Sequence, residues 1–137
     1  MLDLLNLPGI KPVDMYKESK ALIIVAVPEE VEVPLCEACK TPMHKHGTRK
    51  NRFSDTPLYM EPVRLEIQRP RFRCESCGKM AMPELNFLDD KRRSTKRLVD
   101  VIRQQCLSTT FRALAEQTGV AVNTVKNVAH DLIEELE

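Results

Sequence analysis

The chain has 137 residues with two Tyr, four Phe and no Trp, which is the size of one domain or two small units and leaves little stabilisation to come from aromatic burial. Its net charge of +1 hides a segregation: residues 1–39 carry three basic and seven acidic side chains, 40–112 seventeen and eight, and 113–137 one and five. A basic centre between acidic ends fits a polyanion-binding surface or a solvated basic face, and the lack of any bilayer-length apolar run or secretory leader makes the chain read as cytoplasmic, with no membrane partner and no small-molecule substrate.

In chain order, LDLLNL predicts a short helical turn stopped by Pro8-Gly9, and VDMY and ALIIVAV around the polar KESK predict a hairpin. Ala21 to Val27 is continuously apolar and rich in β-branched residues, the pattern of a strand covered on both faces or packed against a neighbouring unit. The acidic PEEVEVP, with prolines at 28 and 34, then leads out of the hairpin.

Two stretches nearly repeat each other, PLCEACKTP at 34–42 and RFRCESCGK at 71–79. Together they read C-x2-C-x34-C-x2-C. In a reducing compartment, four of five cysteines in such pairs argue for metal ligation rather than disulfides. Each Cys-x-x-Cys turn aims two thiolates at one ion, and two turns complete a tetrahedron. Cys36, Cys39, Cys74 and Cys77 are therefore predicted to hold a structural Zn2+ with no open position. The insert between the pairs exceeds the roughly 15–20 residues of compact ribbons. TRKNRFSD and VRLEIQRPRFR alternate polar and apolar residues and predict two paired strands that bring its ends together, with TPLYMEP as the connecting loop. His44 and His46 are expected to be solvated or phosphate-facing, and Lys40, Arg73 and Lys79 to offset the charge of the thiolates. Arg49, Lys50 and Arg52 on the hairpin are candidate phosphate contacts.

The third segment predicts a helix capped by Ser94, with Leu98, Val101, Ile102 and Cys106 at helical spacing. Cys106 reads as a core residue. The cluster Lys91, Arg92, Arg93, Lys96 and Arg97 surrounds the start of this helix, where an anionic partner would relieve repulsion from the dipole; Arg92, Arg93 and Arg97 are further phosphate candidates. TFRALAEQTGVAVNTVKNVAHDLIEEL reads helix, turn, helix, with Gly119 at a left-handed turn and Val120, Val125 and Val128 as the apolar repeat. The second helix offers Asn123, Thr124, Lys126 and Asn127 outward, a polar face suited to bases or phosphates in a major groove. An ordinary helical hairpin would need the same valines. A stripe of Val125, Val128, Leu132 and Leu136 needs cover, either from the Leu98 helix or from a second copy in a homodimer.

CEACK, HGTRKNRFSDTP, RPRFRCESCGK and the helix-turn-helix that follows resemble the N-terminal part of the ISL-three family of insertion-sequence transposases. The resemblance implies a zinc ribbon ligated by Cys36, Cys39, Cys74 and Cys77, a reader helix beginning near Val122, and recognition of the element's terminal inverted repeats in double-stranded DNA. Relatives continue into an RNase H-like catalytic domain with a carboxylate triad, for which this chain has no room. Asp55, Asp89, Asp90 and Glu134 are expected in a hairpin turn, a loop and a helix end, without the strand scaffold that two-metal chemistry needs. The expectation is thus an α+β chain, not an enzyme: a leader and β-hairpin at 1–33, a zinc ribbon at 34–88 and a helix-turn-helix unit at 89–137. Three functions follow from it: the DNA-binding module of a transposase, a stand-alone transcriptional regulator on the same scaffold, or a zinc-stabilised interaction adaptor.

Overall fold

The computed structural model describes residues 5–136. Its β-rich half is one sheet. Strands β1 (Ile10–Glu18) and β2 (Ala21–Pro28) form the leader hairpin, β3 (His44–Leu58) and β4 (Glu61–Arg73) form the long ribbon hairpin, and β5 (Met80–Ala81) adds a short edge. The strand order is β1-β2-β4-β3. β2 runs parallel to β4, with Leu22–Ala26 opposite Val63–Ile67, so the leader, read from sequence as a unit of its own at 1–33, shares its sheet with the ribbon.

Parallel pairing places β2 in the interior of the sheet, which explains its unbroken apolar run: Ile23, Ile24, Val25 and Ala26 are all buried. The expected TPLYMEP loop is shorter than predicted. Tyr59 and Met60 take φ values of +52° and +63°, a two-residue turn of the kind whose twist matches the flanking strands, and the residues around them extend β3 and β4 instead.

β4 serves two cores with opposite faces. Val63, Leu65 and Ile67 point into the main core with Leu5, Leu7, Ile10, Ile24, Ala26 and Phe87. Further along, Phe72 and Cys74 point the other way, into a small core with Cys36 and Met43. Successive side chains alternate across a strand, so odd positions are apolar at one end of β4 and even positions at the other. Of the predicted LDLLNL turn, residues 1–4 lie outside the described residues; Leu5 and Leu7 are non-helical and pack on the sheet.

The other half is three helices, α1 (Lys96–Gln105), α2 (Phe111–Thr118) and α3 (Val122–Leu136). The cap of α1 is Thr95, whose Oγ1 accepts from the Leu98 N–H at 3.3 Å, and not Ser94. Ser94 is instead buried in a bridge to Ser54 of β3. The helical core joins Leu98, Val99, Ile102 and Cys106 to Leu114, Ala115, Val125, Val128 and Ala129, with Val99 in the place expected for Val101. Leu132 packs on this core, while Leu136 is exposed. The α3 stripe is therefore covered largely by α1 and α2.

Gly119 ends α2 at φ +75° and donates its N–H to the Ala115 carbonyl. A Cβ there would sit 2.7 Å from the Pro62 Cβ of β4. Gly119→Ala combines a left-handed backbone with a clash and should cost about 2–3 kcal/mol. An unfolding free energy from urea titration within about 0.5 kcal/mol of the wild type would contradict this packing.

Candidate metal centre and nucleic-acid interface

The repeated sequences fold into repeated turns. In the first, Lys40 N–H donates to the Cys36 carbonyl at 2.8 Å and Cys36 N–H to the Thr41 carbonyl at 2.9 Å; in the second, Gly78 N–H donates to Cys74 at 2.8 Å and Cys74 N–H to Lys79 at 2.9 Å. The fifth residue of each turn is left-handed, Lys40 at φ +59° and Gly78 at +76°. A bridge between Leu35 and Pro42 closes one turn and the β4–β5 pairing closes the other. The four predicted cysteines meet, with their sulfurs within 4.8 Å of one another and Cys36 Sγ 3.6 Å from Cys77 Sγ. Phe72, Met43 and Ala81 pack beneath them.

The thiols are electrostatically unequal. Backbone N–H groups of the turn, first that of Cys39, lower the pKa of Cys36, and those of Cys77 and Ser76 lower Cys74 to about 6. The side chains of Cys77 and Cys74 push Cys39 up to about 12. The N–H groups of each turn thus favour the thiolate form of its leading cysteine, while the neighbouring thiols disfavour that of Cys39. Sulfurs bound to one tetrahedral zinc at about 2.3 Å lie about 3.8 Å apart, so this donor set and spacing fit zinc. Neither His44 nor His46 belongs to the group: both are exposed, and His44 Nε2 lies 3.6 Å from Glu75. Lys79 reaches Glu37 at 3.4 Å, and Arg73 lies against Gly78.

On α3, Val125, Val128 and Ala129 turn inward and leave Asn123, Lys126 and Asn127 exposed on the opposite side, with Thr124 half-buried. None of the four side chains makes a hydrogen bond or ion pair among the described residues. Thr124 lines a cavity of about 390 Å³ together with Arg64, Arg92 and Arg93.

The six cations predicted to meet phosphate divide into two groups. Arg97 donates from Nε to Asp55 at 2.8 Å and from Nη1 to the Leu5 carbonyl at 2.6 Å. Arg92 pairs with Asp131 at 2.7 Å, and Arg52 with Glu18 at 3.1 Å and Glu66 at 3.3 Å. These three are held by carboxylates far away in sequence, which local reading could not anticipate. Arg49, Lys50 and Arg93 are exposed and have no carboxylate partner among the described residues.

The carboxylate Asp55 lies in β3, not in the hairpin turn expected for it, and is 1% exposed. Its Oδ1 accepts from Thr95 Oγ1 at 2.7 Å, from Arg97 Nε at 2.8 Å and from the Thr56 N–H at 2.8 Å. Beside it, Ser54 N–H donates to the Arg93 carbonyl and Thr95 N–H to the Ser54 carbonyl, both at 2.9 Å. Arg64 of β4 donates to Ser54 Oγ at 3.0 Å and to the Gly119 carbonyl at 2.9 Å. Sheet and helices are joined through buried, directional bonds. Asp55, Thr95 and Arg64 carry this junction. The one signal in sequence was a charged residue at 55 in phase with Phe53, an inward position.

The other carboxylates do local work. Asp89 accepts from the Lys91 and Arg92 N–H groups, Asp90 is exposed, and Glu134 lies 3.5 Å from His130 on α3. His130, Asp131 and Glu134 are close enough to share an ion, but Asp131 is taken by Arg92.

Residues 32–77 match the zinc-finger of transposase IS204/IS1001/IS1096/IS1165, and residues 83–133 match the helix-turn-helix domain of transposase family ISL3. Consecutive stretches of the chain are thus similar to a zinc-finger and a helix-turn-helix domain of ISL3-type transposases. The four cysteines fall within the first match and α1 to α3 largely within the second, so the two matched regions of this chain coincide with the sulfur cluster and the helical unit. It is 27% identical over 121 residues to the transposase for insertion sequence element IS1001 of Bordetella parapertussis, a match covering 88% of this chain and 30% of that relative. The chain thus spans under a third of that transposase. No solved structure matches it. No helix among the described residues is long and apolar enough to cross a membrane.

Proposed function

We propose that the chain is the DNA-binding module of an insertion-sequence transposase, which recognises the terminal inverted repeats of its element. The observation that carries this reading is the outward row of α3, whose Asn123, Thr124, Lys126 and Asn127 side chains have no partner among the described residues, while Arg49, Lys50 and Arg93, likewise without a carboxylate there, share the same joined body. In this reading α3 lies in the major groove and reads base edges, the three free cations hold phosphates, and zinc on Cys36, Cys39, Cys74 and Cys77 holds the ribbon end in shape. Arg52, Arg92 and Arg97 serve the fold, so their loss lowers stability before it lowers grip. Two copies bringing two element ends together would pair through exposed apolar residues such as Ile133 and Leu136 at the end of α3.

Asn123→Ala or Asn127→Ala should weaken binding to an element-end duplex by about 1–3 kcal/mol and leave random duplex binding nearly unchanged. A salt-titrated binding assay checks this. Equal loss on both duplexes would assign reading to another element. Preference for a promoter operator over element ends would indicate the regulator, and no duplex affinity at low salt would indicate the adaptor.

A further inference from the structure

Beyond Ile67, the odd face of β4 has no core to fill, and its next three residues are Arg69, Arg71 and Arg73. Alternate residues of a strand stand about 6.6–6.8 Å apart, so the three form an evenly spaced row on one face. Arg49 of β3 is directly opposite Arg69 in the ladder. Arg71 faces the irregularity in β3 between Lys45 and Thr48, where Gly47 takes φ +81°. Arg69 is anchored by donating from Nη1 to the Pro83 carbonyl at 3.1 Å, while its buried Nε makes no bond.

Like charges directly opposite in a sheet repel. Here no carboxylate intervenes: among the described residues none pairs with Arg49, Arg69, Arg71 or Arg73. Burial, and next the charge of Arg49, lower the pKa of Arg69. The contrast with the rest of the sheet is sharp, because Arg52, three residues along β3 from Arg49, has both Glu18 and Glu66. Carboxylates thus meet Arg52, Arg92 and Arg97, and among the described residues none meets this row. Offset of the thiolate charge explains Arg73, which lies against Gly78 of the second turn, but not Arg49 and Arg69, which pair four positions before Arg73 on β4.

We propose that Arg69, Arg71 and Arg73, with Arg49 across the ladder, form a second DNA-contacting surface that grips the phosphate backbone of a duplex beside the site read by α3. The proposal rests on the DNA-binding reading above. Gripping unpaired strands generally uses exposed aromatics on which bases stack. Phe72 in this stretch is buried on the other face, and the exposed Tyr59 lies at the far end of the hairpin. Guanidinium groups without aromatic platforms suit phosphates, not bases, so the row adds affinity and salt dependence without sequence preference.

The test uses the 137-residue zinc-loaded chain with an element-end duplex and a random duplex, titrated from low to moderate salt. Arg71→Gln with Arg73→Gln should lower the slope of log affinity against log salt by about 1.8, roughly 0.9 per lost phosphate contact. It should do so on both duplexes, with their affinity ratio unchanged and zinc still bound. Arg71→Lys with Arg73→Lys should keep the wild-type slope. An unchanged slope in the Gln variant overturns the proposal while the α3 reading survives, and so does a Gln variant that sheds its zinc, since its charges would then serve the thiolates. A wild-type chain that binds neither duplex at low salt overturns both.

Discussion

Removing zinc with a chelator, or replacing one ligand by Cys74→Ser, is expected to melt the ribbon end of the sheet while the three helices keep their fold. The small core there consists of Cys36, Met43, Phe72 and Cys74, with Cys39 and Ala81 partly buried against it. Burying one Phe and one Met is worth only about 3–6 kcal/mol before entropy is counted, whereas structural zinc contributes apparent binding energies of roughly 10–16 kcal/mol at neutral pH. Without the ion the turns at 36–41 and 74–79 must also hold four crowded thiols. The helical core of Leu98, Ile102, Leu114 and Val125 shares no residue with this cluster. Amide hydrogen exchange should therefore show lost protection in residues 34–50 and 70–81 and retained protection in α1 to α3. Unchanged exchange at the ribbon end of the metal-free protein would refute a structural role for zinc.

The second large effect is expected at Asp55. Asp55→Ala removes the acceptor shared by Thr95 and Arg97, and leaves a guanidinium whose side chain is only 34% exposed without its counter-ion. Breaking such a pair from one side costs about 3 kcal/mol, most of it from the stranded charge and hydroxyl. The loss falls on the junction, so chemical unfolding should change from one transition to two, with the helices and the sheet separating. A single transition displaced by less than about 0.5 kcal/mol would show that packing alone, not this buried bond network, couples the halves. DNA affinity should fall with it, because free cations on the ribbon and the outward row of α3 would no longer be held at a fixed separation.

The features legible in sequence were those whose cause is local. The two Cys-x-x-Cys turns, the left-handed Gly119 and the inward valines of α3 each follow from spacing within a few residues, and the structure contains them all. The leader hairpin was legible for the same reason. What escaped was non-local. Parallel pairing of β2 with β4 joins residues as distant in the chain as Leu22 and Val63, and no periodicity within either segment encodes the partner. The role of Arg97 depends on Asp55, that of Arg52 on Glu18 and Glu66, and that of Arg92 on Asp131. A basic cluster counted along the chain therefore overstated the free charge at the start of α1 and missed the row on β4. The cap of α1 moved from Ser94 to Thr95 because Ser94 was claimed by the bridge to β3.

The change of faces along β4 also bears on how the chain finds its register. An ordinary half-buried strand that slips by one residue turns its apolar set outward, and a neighbouring alignment can still bury part of it. For β4 such a slip would expel Val63, Leu65 and Ile67 from the main core and, in the same movement, carry Phe72 and Cys74 away from the sulfur cluster. No sliding of the strand gains at one end what it loses at the other. The two cores thus act as independent locks on one bolt, and misaligned hairpins collected during folding have no partial reward to hold them.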